Sequence, residues 1–298
     1  MTDLPLDQVR TLLAAVDEGT FDAAARALHV TPSAVSQRIK ALEQRTGRVL
    51  LLRTKPVELT DSGEVVVRFA RQLARLERDA SAELGLSRTD EPTRLSIAVN
   101  ADSLATWFLP ALSAAAAELP VCFDLHREDQ DHTTRLLRQG LVMAAVTSSP
   151  HPVQGCTVRK LGRMRYHAMA APGFVARYLA RGPLRELLGD APVVVFDRKD
   201  DLQDGFLRRL APHRAAPTAR HYVPASEAYV EAVAAGLGWG MVPEAQAAAH
   251  RRSGSLVDLA PDRPVDVPLY WQQWKLDSPA LTALASAVAE AAAAAQVS

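Results

Sequence analysis

Across residues 20 to 45, TFDAAARALHVTPSAVSQRIKALEQR, apolar positions recur at intervals of three and four, first in one short block and then in a second. Phe21, Ala24, Ala25 and Leu28 mark one face of a first helix, and its small residues allow close approach. Val35, Ile39 and Leu42 mark the packing face of a second helix, whose other face carries Ser33, Ser36, Gln37 and Lys40. Thr31 suits the cap of that helix and Pro32 its first position, where no amide hydrogen is needed. The pattern predicts a helix-turn-helix with one side packed and one side free to reach DNA. A short apolar strand over 49 to 52 and a turn at Lys55-Pro56-Val57 then predict a wing carrying Arg53 and Lys55.

From Asp61 the periodicity is helical again. Val66, Phe69, Leu73, Leu76, Ala80 and Leu84 form a near-heptad stripe, with Arg68, Arg71, Arg75 and Arg78 between acidic residues. About 25 residues at 1.5 Å make a rod of roughly 40 Å, too long to bury its stripe on a small winged helix, so a partner subunit is expected. Residues 87 to 92 are a polar hinge. Beyond it, strands and helices alternate: a strand at Leu95, Ile97 and Val99, a helix over 103 to 118, a strand at Val121, Phe123 and Leu125, a helix over 132 to 139, and a buried strand over 142 to 146. This βαβαβ order predicts a parallel sheet with ligands beyond the carboxyl ends of its strands. A second half-domain begins near Arg165, with strands over 193 to 196 and 239 to 242 and a helix over 226 to 235; residues 268 to 274 return to the first half. Two such crossings predict a hinged cleft. The closing Ala-rich helix, with Ser278 as cap and Pro279 at its first position, reads as structural, and Trp271 and Trp274 as packing residues.

Charge sharpens the first of these assignments. Residues 26 to 55 hold Arg26, Arg38, Lys40, Arg45, Arg48, Arg53 and Lys55 against Glu43 alone, net +6. The first 25 residues hold Arg10 against Asp3, Asp7, Asp17, Glu18 and Asp22, net −4. A chain of formal net charge zero therefore gathers its basic residues where a phosphate backbone would lie. At 298 residues and 48% hydrophobic, two or three units are expected. The beginning of the chain lacks a positively charged leader, and no apolar run is long enough to span a bilayer, so a cytoplasmic location is expected. Cys122 and Cys156 are too few for a disulfide framework or zinc site and read as reduced packing thiols.

Two loops at the predicted strand ends carry the remaining chemistry. In Asn100-Ala-Asp102-Ser103, Asp102 suits a helix cap, while free amides and the Ser103 hydroxyl suit a carboxylate. In Glu128-Asp129-Gln130-Asp131, three carboxylates repel one another unless solvated or given a cation. Asp200, Asp201, Asp204, Ser226 and Glu227 are candidates for the far wall of the cleft.

The stretch from Leu6 to Gly63, above all TFDAAARALHVTPSAVSQRIKALEQRTGRVLLLR followed by LTDSGE, resembles the LysR-type transcriptional regulators. The segments 100 to 108, 128 to 140, 145 to 156, 236 to 244 and 268 to 279 resemble the LysG/ArgP subfamily, regulators of basic amino-acid export. The resemblance implies a mixed α and α/β fold: an N-terminal winged helix-turn-helix (1 to 60), a long dimerising linker helix (61 to 88) and a C-terminal two-lobed, periplasmic-binding-protein-like (type 2) α/β effector domain (89 to 298). Lobe I would span about 94 to 165 and 269 to 298, and lobe II about 166 to 268. It further implies promoter DNA as partner, contacted by Thr31, Pro32, Ser33, Ser36, Gln37, Arg38, Lys40, Arg53 and Lys55. The chain would act as a homodimer or dimer of dimers with RNA polymerase as a further partner, without a membrane or cofactor. The implied effector is lysine, arginine or histidine, held by residues among Asp102, Ser103, Glu128, Asp129, Asp131, Thr147, Asp201, Asp204 and Glu227, and the implied target is an exporter gene.

Other classes find less support. An enzyme would need a phosphate-binding glycine loop, a nucleophile elbow or a metal-spaced His pair; GLGWG has the wrong spacing for a dinucleotide fingerprint, and the eight histidines are scattered. A secreted solute-binding protein would not need the basic helix. A LysR-type regulator of another effector, or a less sequence-specific architectural DNA-binding protein, remains the alternative.

Overall fold

A computed structural model describes residues 4–86, 92–127, 130–295 and 297. The first three helices, α1 (Leu6–Asp17), α2 (Phe21–Ala27) and α3 (Pro32–Thr46), pack around Val9, Leu12, Ala24, Ala25, Val35, Ile39 and Leu42, all buried. Thr20 and Thr31 cap α2 and α3, each accepting an amide hydrogen bond at 3.2 Å. Such a cap is worth about 1 kcal/mol, which defines the entry of each helix sharply. The wing follows as β1 (Leu51–Leu52) paired antiparallel with β2 (Glu58–Leu59). Glu43, the lone acid of the basic segment, accepts amide bonds from Leu50 and Leu51 and so ties the wing to α3.

The long helix α4 (Asp61–Glu83) ends before the expected 88. Its stripe is divided: Val66 is buried in the winged-helix core, whereas Phe69, Leu76 and Leu84 stay exposed. The physical reason is that α4 lies against two bodies, α1 on one side and the effector domain on another, and only the third side is left open.

The effector domain begins with β3 (Thr93–Val99). It leads into one continuous helical stretch, α5 (Ala101–Ser103), a π-helical turn (Leu104–Phe108) and α6 (Leu109–Glu118). Then come β4 (Val121–Arg127), α7 (Gln130–Gln139) and β5 (Ala144–Thr147). β4 and β5 flank β3 in parallel, as the βαβαβ pattern requires. The carboxyl ends of all three strands therefore share one edge, where residues 100 to 103 and Thr147 sit.

The long strand β6 (Cys156–Ala170) carries the chain into the second lobe; fifteen residues span roughly 50 Å. There lie α8 (Pro172–Phe174), α9 (Leu184–Leu187), β7 (Val193–Val195), α10 (Leu202–Leu210), β8 (Arg220–Tyr222), α11 (Ser226–Ala234), β9 (Gly240–Pro243), α12 (Glu244–Ser253) and β10 (Val257–Asp258). The chain returns on β11 (Val265–Trp274) and closes with α13 (Pro279–Ala294). β11 pairs antiparallel with β6 along its whole length and with β5 at its end. One half of this ribbon therefore belongs to the β5–β3–β4 lobe and the other to the lobe of β9 and β10. The two expected crossings are thus not separate linkers but neighbouring strands of one sheet. The register slips between Leu269 and Tyr270, opposite Gly162 and Lys160, and Gly162 has φ 143°, a conformation that a side chain disfavours. That bulge marks where the ribbon leaves one lobe for the other. Trp271 and Trp274 are buried in the core shared with Phe108 and Leu281.

Candidate functional site

The first site is the outer face of α3. Ser33, Gln37 and Lys40 are exposed and Ser36 half-buried, opposite Val35, Ile39 and Leu42, so the side chains that can meet base edges stand on a helix anchored from behind. Thr31 spends its hydroxyl on the cap and Pro32 occupies the first turn. Arg38, half-buried, turns toward α1, donating to Thr11 Oγ1 at 3.4 Å with Asp7 4.0 Å away. The acidic N-terminal segment therefore takes up one of the basic residues. Arg53 and Lys55 are exposed on the wing.

The second site lies where the lobes meet. Asp102, at the start of the helical stretch after β3, does not cap it. Instead its carboxylate accepts from Tyr166 Oη (β6) and from Ser226 Oγ (start of α11), both at 2.7 Å. Lobe I thus meets lobe II through one buried carboxylate. Burial pushes its pKa up; the two hydrogen bonds oppose that, and Asp200 and Glu227 nearby push it up further. Asp200 is also raised by burial, against amide bonds from Leu202 and Phe196 and with Asp197 nearby. Beside this cluster, Ser103 Oγ and Asn100 Oδ1 are buried without a hydrogen-bond partner. Unsatisfied buried polar atoms cost about 1–3 kcal/mol each, so a ligand that meets them gains accordingly. Thr147, fully buried at the end of β5, accepts from Ser149 N at 3.2 Å.

Not every sequence candidate joins that cluster. Asp204 is held by Arg220 at 2.8 and 3.0 Å, and exposed Asp201 faces Arg208 at 3.7 Å, so α10 directs both to local arginines. Glu227, by contrast, stands exposed at the first turn of α11 on the rim of the cluster, close enough to act on Asp102. Asp131 falls in the first turn of α7; its side chain, like Glu128 and Asp129, lies outside the described residues.

Residues 6–64 match the family model of the bacterial regulatory helix-turn-helix protein, lysR family, and residues 88–293 match the LysR substrate binding domain. The chain belongs to the LysR family. Its LysR-type relatives include the lysine export transcriptional regulatory protein LysG of Corynebacterium glutamicum, 43% identical over 96% of this chain and 97% of that one. Among solved structures, ArgP from Mycobacterium tuberculosis is 49% identical and superposes with a TM-score of 0.87 over 96% of both chains. Full-length LysG from C. glutamicum with bound effector Arg is 42% identical, with a TM-score of 0.85 over 97% of this chain and 98% of that one. This LysR-type chain is accordingly a DNA-binding transcriptional regulator with a winged helix, a linker helix and a two-lobed effector domain.

Sequence reasoning passes over Tyr166, which sits in an ordinary strand pattern with no signal of its role, and reads Asp102 as a cap first and an effector contact second. Ser226 and Asp200 were visible only as wall candidates. Cys122 and Cys156 are free, and burial pushes the Cys156 thiol up to about 11, which suppresses the reactive thiolate at neutral pH. Among the described residues no cluster is placed to hold a metal ion, and no helix is long and apolar enough to cross a membrane.

Proposed function

We propose that this regulator binds arginine, lysine or histidine between its lobes and, in response, changes how it sits on a promoter to activate a basic amino-acid exporter gene. The observation that carries the reading is the carboxylate set of Asp102, Asp200 and Glu227, drawn from both lobes beside the unpartnered Ser103 and Asn100. A cation relieves the mutual repulsion of the acids, and the Ser103 hydroxyl is available for the α-carboxylate. Glu128, Asp129 and Asp131 remain candidates for the cationic end of the effector on their sequence alone. The arginine held by the relative from C. glutamicum supports the same class of ligand.

On DNA, α3 enters the major groove, with Ser33, Ser36 and Gln37 toward base edges and Lys40, Arg53 and Lys55 toward phosphates. The exposed Phe69 and Leu76 of α4, with Leu84 just past its end, form a dimer seam, and a dimer or dimer of dimers places two recognition helices on one face of a promoter in the cytoplasm. RNA polymerase is the downstream partner. Calorimetry of the full chain against the twenty amino acids is the direct test: binding confined to the cationic ones is the expected result, and preference for a neutral or acidic amino acid defeats the reading.

A further inference from the structure

The arginines of α4 form a junction of a kind that its apolar stripe did not foretell. Arg71 donates to the main-chain oxygen of Gln139 at 2.7 Å and to Asp17 Oδ1 at 2.5 Å. Gln139 ends α7 in the effector domain, and Asp17 ends α1 in the winged helix. One guanidinium, only 17% exposed, therefore holds both domains at once. Its neighbours reinforce the same contact. Arg68 donates to Arg138 O at 3.3 Å, and Gln139 Nε2 donates to Glu64 at 2.8 Å. Arg75, buried, pairs with Asp79 at 2.9 Å and donates to Ser278 Oγ, at the start of α13, at 3.4 Å.

The chemistry suits the place. The last carbonyls of a helix lack internal partners and form the negative end of its dipole, so cations there are stabilising. Gly140 allows the approach: it has φ 68°, and a Cβ on it would lie 3.0 Å from Arg68 Cα. α7 itself starts directly beyond β4, at the strand-end edge of the cleft, and finishes on α4 about 15 Å away, since ten residues rise 1.5 Å each. It is a rod from the ligand side of lobe I to the linker helix.

We propose that Arg71 is a positioning residue that pins the winged helix to the effector domain within one chain, so that a shift of α7 reaches α1 and through it the recognition helix. A guanidinium serves two acceptors in fixed directions, which the single ammonium of lysine does not reproduce. The effector-dependent half of this inference rests on the proposed function; the pin itself does not.

The test uses the full chain as wild type, Arg71→Ala, Arg71→Lys and Asp17→Asn. Hydrogen exchange without effector or DNA reads the pin alone: in Arg71→Ala the amides of residues 137 to 141 and the last turn of α1 should exchange at least about threefold faster, with the helices of the winged-helix core unchanged and Arg71→Lys intermediate. Asp17→Asn, which spares the bond to Gln139, should loosen only the α1 end and guards against a folding defect in Arg71→Ala. Fluorescence anisotropy with promoter DNA, with and without arginine, reads the coupling: the factor by which arginine alters DNA affinity should fall by about half or more in Arg71→Ala, while arginine affinity of the free chain stays within about twofold. Wild-type exchange in Arg71→Ala, or an undiminished arginine effect, overturns the proposal. If arginine has no effect on the wild type, the functional reading falls, and the exchange comparison still decides the pin.

Discussion

Replacing Asp102 with asparagine removes one negative charge from the place where the lobes meet and leaves the shape almost intact. The amide keeps one acceptor oxygen and turns the other position into a donor, so either Tyr166 or Ser226, each now donating at 2.7 Å, loses that bond, leaving Tyr166 with Met164 Sδ at 3.1 Å or Ser226 with Gln246 Oε1 at 3.2 Å. A hydrogen bond to a charged group is worth about 1.5–3 kcal/mol, so arginine affinity should fall roughly tenfold to a hundredfold. Stability of the empty protein should change less, because the neutral amide also escapes the burial that disfavours the carboxylate. The pH dependence gives a second readout. Asp102 has its folded pKa raised, so the empty folded chain binds this proton more readily than the unfolded chain does. Its contribution to stability is therefore largest at low pH and declines as pH rises from the ordinary carboxylate range through the raised value. A cationic effector favours the ionised form, so arginine binding should release protons and tighten across that same window. Calorimetry in two buffers of different ionisation enthalpy measures both affinity and proton release. Asparagine at 102 with wild-type arginine affinity, together with wild-type binding that releases no proton, would refute the assignment.

Gln37→Ala should cost about 1–3 kcal/mol of discrimination between promoter and scrambled duplexes, while Arg53→Ala weakens both alike; competition binding separates the two effects. Leu76→Asp places a charge on the exposed stripe of α4, where Leu76 is 42% exposed in the single chain, so analytical ultracentrifugation should find folded monomers. A folded dimer would assign the seam elsewhere. Arg251→Gln removes the partner that holds the Asp258 carboxyl below its usual range through bonds of 2.7 and 2.8 Å. That ion pair stabilises lobe II above the ordinary carboxylate range and ceases to as pH falls through the lowered pKa; thermal melts of the variant should show a loss of about 1.5–3 kcal/mol at neutral pH and a flatter acid limb.

The winged helix was legible because its signals are local. Thr31, Pro32 and the spacing of Val35, Ile39 and Leu42 act within one helix, and the helix forms where they place it. The parallel β3, β4 and β5 were legible for a similar reason, as alternation and buried runs fix strands one at a time. What the sequence hid is long-range pairing. β6 and β11 lie a hundred residues apart and read as separate strands, yet they form the ribbon that joins the lobes. Asp102 reads as a cap because it opens a helix, and only the fold brings Tyr166 and Ser226 close enough to claim it. Asp204 reads as a ligand and is claimed by Arg220, sixteen residues away. A carboxylate's role depends on which donor reaches it first, and sequence spacing does not give that order.

The same placement explains how so small a ligand could govern a chain of this size. A ligand shifts a conformational equilibrium only by the difference in its affinity for the two states. Asp102 belongs to one lobe and Asp200 and Glu227 to the other, so the full set of carboxylates is assembled only when the lobes are together. An open cleft offers a cation part of the set, and each additional charged hydrogen bond gained on closure is worth about 1.5–3 kcal/mol. One such bond is enough to supply the roughly 1–3 kcal/mol typical of coupling between sites, about 5- to 150-fold in affinity. The ionised acids also make the empty closed state costly, because burial and mutual repulsion both oppose it. The cleft therefore closes most favourably around a cation, and a neutral amino acid of the same size, which leaves that repulsion in place, should bind without drawing the lobes together.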